Sequence, residues 1–388
     1  MTLQEDPKDI VVVGAARTPQ GRMLGALAKK SSVDLGAETI KAVLERSGVA
    51  AGDVDYVLMG QVVQAGSGQN PAKQSAVAAG IPMNVPAMTV NKVCLSGLDA
   101  VINASRLIRL GDASIVVAGG QESMTNAPHI AAGVRAGKGY GSLALQDSLE
   151  RDGLSDPNEG TAMGLETDEG NAERGITREE QDEIAARSHQ LAEAATNEGV
   201  FAEEIVPIEV KGRKETVTVT ADEGIRPGTT AEGLAKLRPA FVKDGTITAA
   251  SASQISDGAA AVVLTTRENA ETKGLEILAT LGEYGQTAGP DTKLHSQPSQ
   301  ATAAALQKAG WEAGDLDFLE INEAFASVVA QSIKDLDYPL DKTNIHGGGI
   351  SLGHPIGASG ARLVVHAAHE LKRRGSGKAA VSLCGGGG

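Results

Sequence analysis

Aromatic residues and cysteines are scarce in this chain. Aromatic residues make up only 2% of its 388 residues, and it has two cysteines. A core with so few rings must be built from Ala, Val, Ile and Leu, within a hydrophobic share of 41%. Two cysteines far apart in sequence exclude a disulfide-rich scaffold, and we interpret them as reduced thiols, with a single structural bridge as the alternative.

The chain also lacks long hydrophobic runs and positive charge. No stretch approaches the roughly 18 uninterrupted apolar residues of a membrane span, and the first residues show no basic region followed by an apolar one. We therefore expect a cytoplasmic protein without a membrane partner. The formal net charge of −14 argues against a nucleic-acid partner, because phosphate binding needs a basic surface.

Both cysteines and one histidine lie in glycine-rich segments. Residues 91–97 read Asn-Lys-Val-Cys-Leu-Ser-Gly around Cys94, residues 353–360 read Gly-His-Pro-Ile-Gly-Ala-Ser-Gly around His354, and residues 383–388 read Leu-Cys-Gly-Gly-Gly-Gly around Cys384. An ordinary thiol has a pKa of about 8.5, so a nucleophilic thiol needs a base. Cys94 directly precedes a predicted helix, whose N-terminal partial charge is expected to lower the thiol pKa. The pattern indicates cysteine chemistry.

The chain contains a copy of part of itself. Residues 43–56 parallel residues 305–318, and Ser96-Gly97 parallels Ser359-Gly360. Each copy is predicted to run strand, helix, strand, loop, helix, strand. Strands that alternate with helices imply parallel pairing, with helices on the faces of the sheet. The spacing indicates a tandem duplication, since a solenoid would repeat every 20 to 50 residues or so.

A third segment interrupts the duplicated pattern. Residues 124–254 are richer in charge and glycine, with a predicted helix from Thr177 to Gly199, and a buried strand returns at 256–265. The length exceeds the size at which one core usually stops growing. We predict an N-terminal half at 1–123 completed by 255–275, an inserted loop domain at 124–254, and a C-terminal half at 276–388.

Five motifs in order resemble those of thiolases, a family of acyl-CoA acetyltransferases. They are the three glycine-rich segments above, residues 119–124 (Gly-Gly-Gln-Glu-Ser-Met) and residues 322–326 (Asn-Glu-Ala-Phe-Ala). The resemblance covers nearly the whole chain. It implies an α/β fold of two duplicated βαβαβ halves, which form a five-layer α-β-α-β-α core with an inserted loop domain. It also implies a homodimer or homotetramer that acts in fatty acid metabolism.

The resemblance implies a ping-pong acyl transfer. Cys94 would attack the first thioester, His354 would take the thiol proton, and Cys384 would remove the α-proton of a second acetyl-CoA. One oxyanion hole would use His354 and a water held by Asn322, and the other the backbone N–H groups of Cys94 and Gly386. The implied substrates are acetyl-CoA and acetoacetyl-CoA or longer 3-ketoacyl-CoA. Coenzyme A is a substrate here, and no cofactor or metal is implied.

The family's coenzyme A contacts carry over to five further positions. Ser253, Leu154 and Arg226 match contacts to the pantetheine or adenine end, and Ala324 and Phe325 match the wall of the pantetheine tunnel. Ordinary loop and core packing is the alternative for each. Only Arg226 offers charge to a phosphate.

Three segments depart from the family pattern. Residues 162–164 read Ala-Met-Gly where many acetoacetyl-CoA thiolases have His-Met-Gly, and residues 294–298 read Leu-His-Ser-Gln-Pro where a Met-Gly segment is usual. Both changes alter the acyl pocket and hence the expected preference for acyl-chain length. His346 replaces a second Asn, and its imidazole is expected either to perturb His354 or to fill space. The family pattern continues beyond residue 388 through a further strand, so we expect Gly388 not to be the native end.

Two other functions compete with catalysis by a thiolase. A non-catalytic thiolase-like protein that binds acyl-CoA or sterol would lack the nucleophile or the base. A ketoacyl-synthase-like condensing enzyme would use one cysteine with a histidine pair or a His and an Asn. This chain combines Cys94, His354 and Cys384, which favours the thiolase.

Overall fold

The computed structural model describes residues 6–388; residues 1–5, on which the expectation of no targeting segment partly rests, lie outside the described residues. Its helices are α1 Ser32–Ser47, α2 Pro71–Ala78, α3 Ser96–Leu110, α4 Met163–Arg174, α5 Arg178–Asn197, α6 Ala231–Leu234, α7 Arg267–Lys273, α8 Gln297–Ala309, α9 Ala326–Leu336, α10 Gly349–Leu352 and α11 Ser359–Arg374. Its strands are β1 Ile10–Arg17, β2 Gly21–Arg22, β3 Tyr56–Gly60, β4 Ala87–Val90, β5 Val116–Ser123, β6 His129–Ile130, β7 Gln146–Asp147, β8 Ile208–Lys211, β9 Thr216–Val219, β10 Ser256–Thr266, β11 Ala279–Thr280, β12 Phe318–Ile321 and β13 Ala379–Ser382.

The largest sheet has the strand order β11-β1-β10-β5-β3-β4, with β2 paired to β10. Strand β3 runs parallel to β4 and β5, and β12 runs parallel to β13, as the alternation of strands and helices predicts. The prediction is wrong for β10, which pairs antiparallel with both β1 and β5. The physical reason is that β10 enters the sheet from the inserted segment rather than through a βαβ crossover.

Alternate residues of β10 face two different helix layers. Ala259, Ala261 and Val263 pack with α1 and α2, and the intervening residues pack with α3 and α11. Because both faces are covered, nearly the whole strand is buried. Helices α8 and α9 pack on the small sheet of β12 and β13, whose other face meets α11. The five layers are therefore α1/α2, the large sheet, α3/α11, the small sheet and α8/α9.

The repeated segments fold in the same way. Helix α1, a 3₁₀ turn and β3 in the first copy correspond to α8, a 3₁₀ turn and β12 in the second. Helix α1 ends at Gly48 with φ 72° and α8 ends at Gly310 with φ 68°. A left-handed residue that closes a helix is usually glycine, which explains why these two glycines recur in the sequence.

The first turns of α3 and α11 meet backbone to backbone. A Cβ atom on Gly97 would lie 2.9 Å from the backbone N of Ala361, and one on Gly360 would lie 2.5 Å from that of Leu98. Only glycine permits such an approach. The repeated Ser-Gly pair thus places the loop before each helix against the loop of the other copy.

A buried charged network ties the inserted segment to both copies. Arg17 of β1 donates to Glu204 (Nε to Oε1, 2.7 Å) and to Asp222 (2.7 Å) in the insert. His366 of α11 contacts the other oxygen of Glu204 at 3.0 Å, and His346 contacts His366 at 3.1 Å. His346 therefore packs against His366 rather than against His354.

The division into three domains stays a prediction. No helix of residues 6–388 is both long and apolar enough to cross a membrane.

Candidate active site

Cys94 lies in a tight turn that leads into α3. Val93 has φ 50°, which is unusual for a β-branched residue and marks local backbone strain. The turn is closed by Ser96, whose Oγ accepts from the backbone N of Lys92 (2.8 Å) and donates to the carbonyl of Val93 (2.6 Å). The Cys94 side chain is buried and unbridged. The hydrogen bonds of Ser96 hold the strained turn, and with it the thiol, at the start of the helix.

His354 approaches this thiol from the other copy. Its Nε2 lies 3.4 Å from the Sγ of Cys94, and its Nδ1 lies 2.6 Å from the Oγ of Ser359. The Ser359 hydroxyl donates to the carbonyl of Pro355 at 3.0 Å, so it must accept the proton of Nδ1. Nε2 is therefore the unprotonated nitrogen and can accept the thiol proton.

Glu122 holds the backbone on which His354 lies. Its carboxylate accepts from the backbone N of Gly357 (2.9 Å), Val62 (2.9 Å) and Val63 (3.2 Å). Burial raises the pKa of Glu122 to about 8. Sequence reasoning missed Glu122 and Ser359 as supports of the site, although both lie inside the quoted motifs. For Ser359 the signal was its repetition as Ser96 in the first copy.

Burial keeps both members of the Cys94–His354 pair uncharged. It lowers the pKa of His354 to about 3, helped by the charge of Arg362. It raises the pKa of Cys94 to about 12, against the opposing effect of the backbone N–H groups of Gly386 and of Cys94 itself. The expectation that the helix N-terminus lowers the pKa of Cys94 is wrong, because desolvation of the thiolate outweighs it. At neutral pH the site holds a thiol beside a neutral base.

The low pKa of His354 predicts an unusual response to acid. Because the imidazole stays neutral until the pH falls far below 6.5, and because Glu122 with its pKa of about 8 is already mostly protonated at pH 7, acylation of Cys94 should keep its rate from pH 7 down to about pH 5. Acylation by a thioester, quenched at successive times, measures this rate, with circular dichroism at each pH to confirm folding. A loss of rate with a midpoint between pH 6 and 7 in folded protein would contradict the assignment.

Cys384 follows β13 and lies among apolar side chains. Its thiol is buried, and burial together with the nearby Cys94 raises its pKa. The loop after it is fixed where the backbone N of Gly385 donates to the Oε1 of Gln297 (2.9 Å). A Cβ atom on Gly386 would overlap the sulfur of Met163. The residues packed around Cys384 are Leu294, Ala324, Val328, Met163 and Phe325.

Asn322 lies at the carboxyl end of β12, beside His354. Its Nδ2 is 3.4 Å from each ring nitrogen of His354, and its buried Oδ1 has no hydrogen-bond partner among residues 6–388. The next residue, Glu323, accepts from the Ser188 hydroxyl (2.6 Å) and from the Nδ2 of Asn344 (3.0 Å). These contacts fix the loop that carries Asn322.

The predicted coenzyme A residues fall into two groups. Ala324 and Phe325 pack in the apolar cluster that contains Cys384, and the backbone N of Ser253 donates to the carbonyl of Ala324 at 2.9 Å. Leu154 packs against the apolar cluster that contains Cys94. Arg226 is exposed on a separate loop, where its backbone N donates to the Nδ1 of His189 at 3.2 Å. The structure thus places Leu154, Ala324 and Phe325 at the apolar clusters that contain the thiols, with Ser253 next to Ala324.

Two thiols, a neutral imidazole and a carboxamide meet in a buried site between the two copies. One thiol has a base in contact, and the other lies within electrostatic reach of the first. An uncharged thiol–imidazole pair with a second thiol is typical of an enzyme that transfers a group by way of a covalent intermediate on cysteine.

Comparison with known proteins gives the family. The model of the thiolase N-terminal domain matches residues 10–268, and that of the thiolase C-terminal domain matches residues 275–388. The chain therefore belongs to the thiolase family, and it is an acyltransferase. Membership of a catalytic family, together with a complete set of candidate groups, speaks against the non-catalytic alternative.

Relatives and solved structures agree with this assignment. The chain is 53% identical over 379 residues to a probable acetyl-CoA acetyltransferase of Mycolicibacterium smegmatis, covering 97% of this chain and 98% of that protein. A crystal structure of the Bacillus anthracis acetyl-CoA acetyltransferase is 41% identical with a TM-score of 0.95, covering 98% of this chain and 96% of that one. The human mitochondrial 3-ketoacyl-CoA thiolase is 39% identical with a TM-score of 0.94, covering 98% and 97%.

Proposed function

We propose that the protein cleaves acetoacetyl-CoA with coenzyme A and, in the reverse direction, condenses two molecules of acetyl-CoA. The observation that carries the proposal is the 3.4 Å contact between the Nε2 of His354 and the Sγ of Cys94, with Nδ1 held by Ser359. It supplies a base with the correct free nitrogen for one of the two thiols.

In the first half-reaction the Sγ of Cys94 attacks the thioester carbonyl while Nε2 of His354 takes the thiol proton. The C–S bond to coenzyme A breaks, and the departing thiolate takes that proton back. The backbone N–H groups of Cys94 and Gly386 bind the oxyanion that forms in between. Both groups already interact with the Cys94 sulfur, which supports this placement.

In the second half-reaction Cys384 gives its thiol proton to His354, and the resulting thiolate removes the α-proton of a second acetyl-CoA. Because burial raises the pKa of this thiol, its thiolate is a stronger base than an ordinary one. The resulting enolate oxygen faces His354 and a water bound by Asn322, and the carbon attacks the acetyl group on Cys94. The C–S bond to Cys94 breaks, and the departing Cys94 thiolate takes the proton held by His354. The unpartnered Oδ1 and the nearby Nδ2 of Asn322 suit such a water.

The tight packing around Cys384 supports a short acyl chain. Met163 lies against the backbone of Gly386, and Leu294 and Phe325 fill the sides near Cys384. We propose acetoacetyl-CoA as the preferred substrate, with longer 3-ketoacyl-CoA accepted less well. Ser253, Leu154, Ala324 and Phe325 line the entrance for pantetheine, Arg226 binds phosphate, and no cofactor beyond the substrate coenzyme A takes part. We further propose a cytoplasmic homodimer or homotetramer, as in the family the chain resembles.

The test uses the wild-type protein. In a series of 3-ketoacyl-CoA substrates of increasing chain length, acetoacetyl-CoA should be cleaved fastest by coenzyme A. After exposure of the protein to acetyl-CoA, mass spectrometry should locate an acetyl group on Cys94. Exchange of the α-protons of acetyl-CoA with deuterated water reports the second half-reaction. Folded protein that shows neither adduct nor cleavage would overturn the proposal, and faster cleavage of long chains would overturn the substrate preference.

A further inference from the structure

Gln297 is the first residue of α8, in the segment that departs from the family pattern. Its side chain is 8% exposed, and its Oε1 accepts from the backbone N of Gly385 at 2.9 Å. The neighbouring Pro298 accepts from the Ser382 hydroxyl at 2.9 Å. The start of α8 is therefore fastened to the end of β13 on both sides of Cys384.

The loop that begins at Cys384 has little other support. The ladder between β12 and β13 ends at Ser382, and the four residues after Cys384 are glycines, which are conformationally free. Within residues 6–388, two side chains accept from the backbone of 383–388: the sulfur of Cys94, from Gly386, and the carboxamide of Gln297, from Gly385. Gly385 also packs against Leu95: a Cβ atom built on Gly385 would lie 2.9 Å from the side chain of Leu95.

The loop carries two groups that must be placed accurately. One is the thiol of Cys384, and the other is the backbone N–H of Gly386 at the sulfur of Cys94. The amide between them, that of Gly385, is the one that Gln297 holds. The Nε2 of Gln297 is buried with no partner among the described residues, so the hydrogen bond through Oε1 alone orients the carboxamide.

We propose that Gln297 is a positioning residue for the second half-reaction, acting through the backbone of Gly385. It fixes the direction from which Cys384 reaches the α-carbon of the acetyl-CoA. This inference rests on the proposed function, since it assigns Gln297 to the same site. A displacement of the base by about 1 Å can cost up to about 100-fold in rate, so loss of the hydrogen bond should cost about tenfold.

The experiment compares Gln297→Leu, which removes the acceptor, with Gln297→Glu, which keeps an oxygen at the same place. Gln307→Leu is the matched control, because Gln307 lies exposed on the same helix. Two quantities are measured with acetyl-CoA: the fraction of Cys94 that becomes acetylated, and the rate of α-proton exchange. Exchange per acetylatable site is the decisive readout, because a merely structural role would lower both quantities together.

We expect exchange per acetylatable site to fall about tenfold in Gln297→Leu, with KM for acetyl-CoA within about threefold of wild type. Gln297→Glu should lose less than Gln297→Leu, and Gln307→Leu should match wild type. Exchange in Gln297→Leu within threefold of wild type, or an equal loss in the Glu and Leu variants, would overturn the inference. Failure of the proposed function is seen separately, as absence of the adduct and of exchange in wild-type protein.

Discussion

Replacing Cys94 by alanine should reduce cleavage of acetoacetyl-CoA by at least about 10⁴-fold, because removal of the attacking atom abolishes the covalent route. The side chain is small and buried, so the variant should remain folded. Mass spectrometry should detect no acetylation of the variant, and an assay of acetyl-CoA release should detect no turnover. The exchange of α-protons, which depends on Cys384, is the step expected to survive.

The matched change at the second thiol separates the two roles. Cys384→Ala should still be acetylated at Cys94, since His354 and the N–H of Gly386 stay in place, whereas its α-proton exchange and turnover should disappear. If Cys384→Ala were not acetylated, or if Cys94→Ala stopped proton exchange in folded protein, the assignment of nucleophile and base would be wrong. Both outcomes are read from the same two assays.

Gly120→Ala should lower turnover by at least about 100-fold without altering either thiol. A Cβ atom on Gly120 would overlap the carbonyl oxygen of Gly357 and lie 2.8 Å from the Cα of Ala358. Both obstacles belong to the backbone of the loop that carries His354, so no side chain can rotate away. The loop must retreat from β5, and the contact of His354 with Cys94 lengthens beyond proton-transfer distance.

Gly52→Ala is the control for this variant. Gly52 has open space around a built Cβ and no left-handed backbone, so its substitution should leave turnover unchanged. Acetylation of Cys94 is the measurement, with thermal melting as the check on folding. If folded Gly120→Ala acetylated Cys94 at more than a tenth of the wild-type rate, the close approach of Gly120 and Gly357 would have no part in placing the base.

The sequence predicts most of the elements that hold the site. Short β-branched runs and helix-ending glycines locate β1, α1, β3 and α3, and the repeat predicts that Ser96-Gly97 and Ser359-Gly360 have equivalent places. Those signals are local, because they depend on residues a few positions apart. The motifs around Cys94, His354 and Cys384 also lie where the resemblance implies that they meet.

Features that depend on packing between residues far apart in the chain could not be predicted from the sequence. The pKa of Cys94 is set by burial among Leu149, Ile356 and Leu383, which lie far from it in the chain. The antiparallel place of β10 depends on how the inserted segment returns to the sheet. The helix N-terminus near Cys94 is visible in the sequence, but the degree of desolvation that outweighs it is not.

The meeting of α3 and α11 also fixes when during synthesis the protein becomes reactive. His354 emerges from the ribosome 260 residues after Cys94, which at bacterial or eukaryotic elongation rates is a delay of roughly 13 to 50 seconds. Throughout that interval the nascent chain has the proposed nucleophile but not the proposed base. If these roles hold, an unfinished chain does not consume cellular thioesters, and activity begins only when the second copy docks on the first.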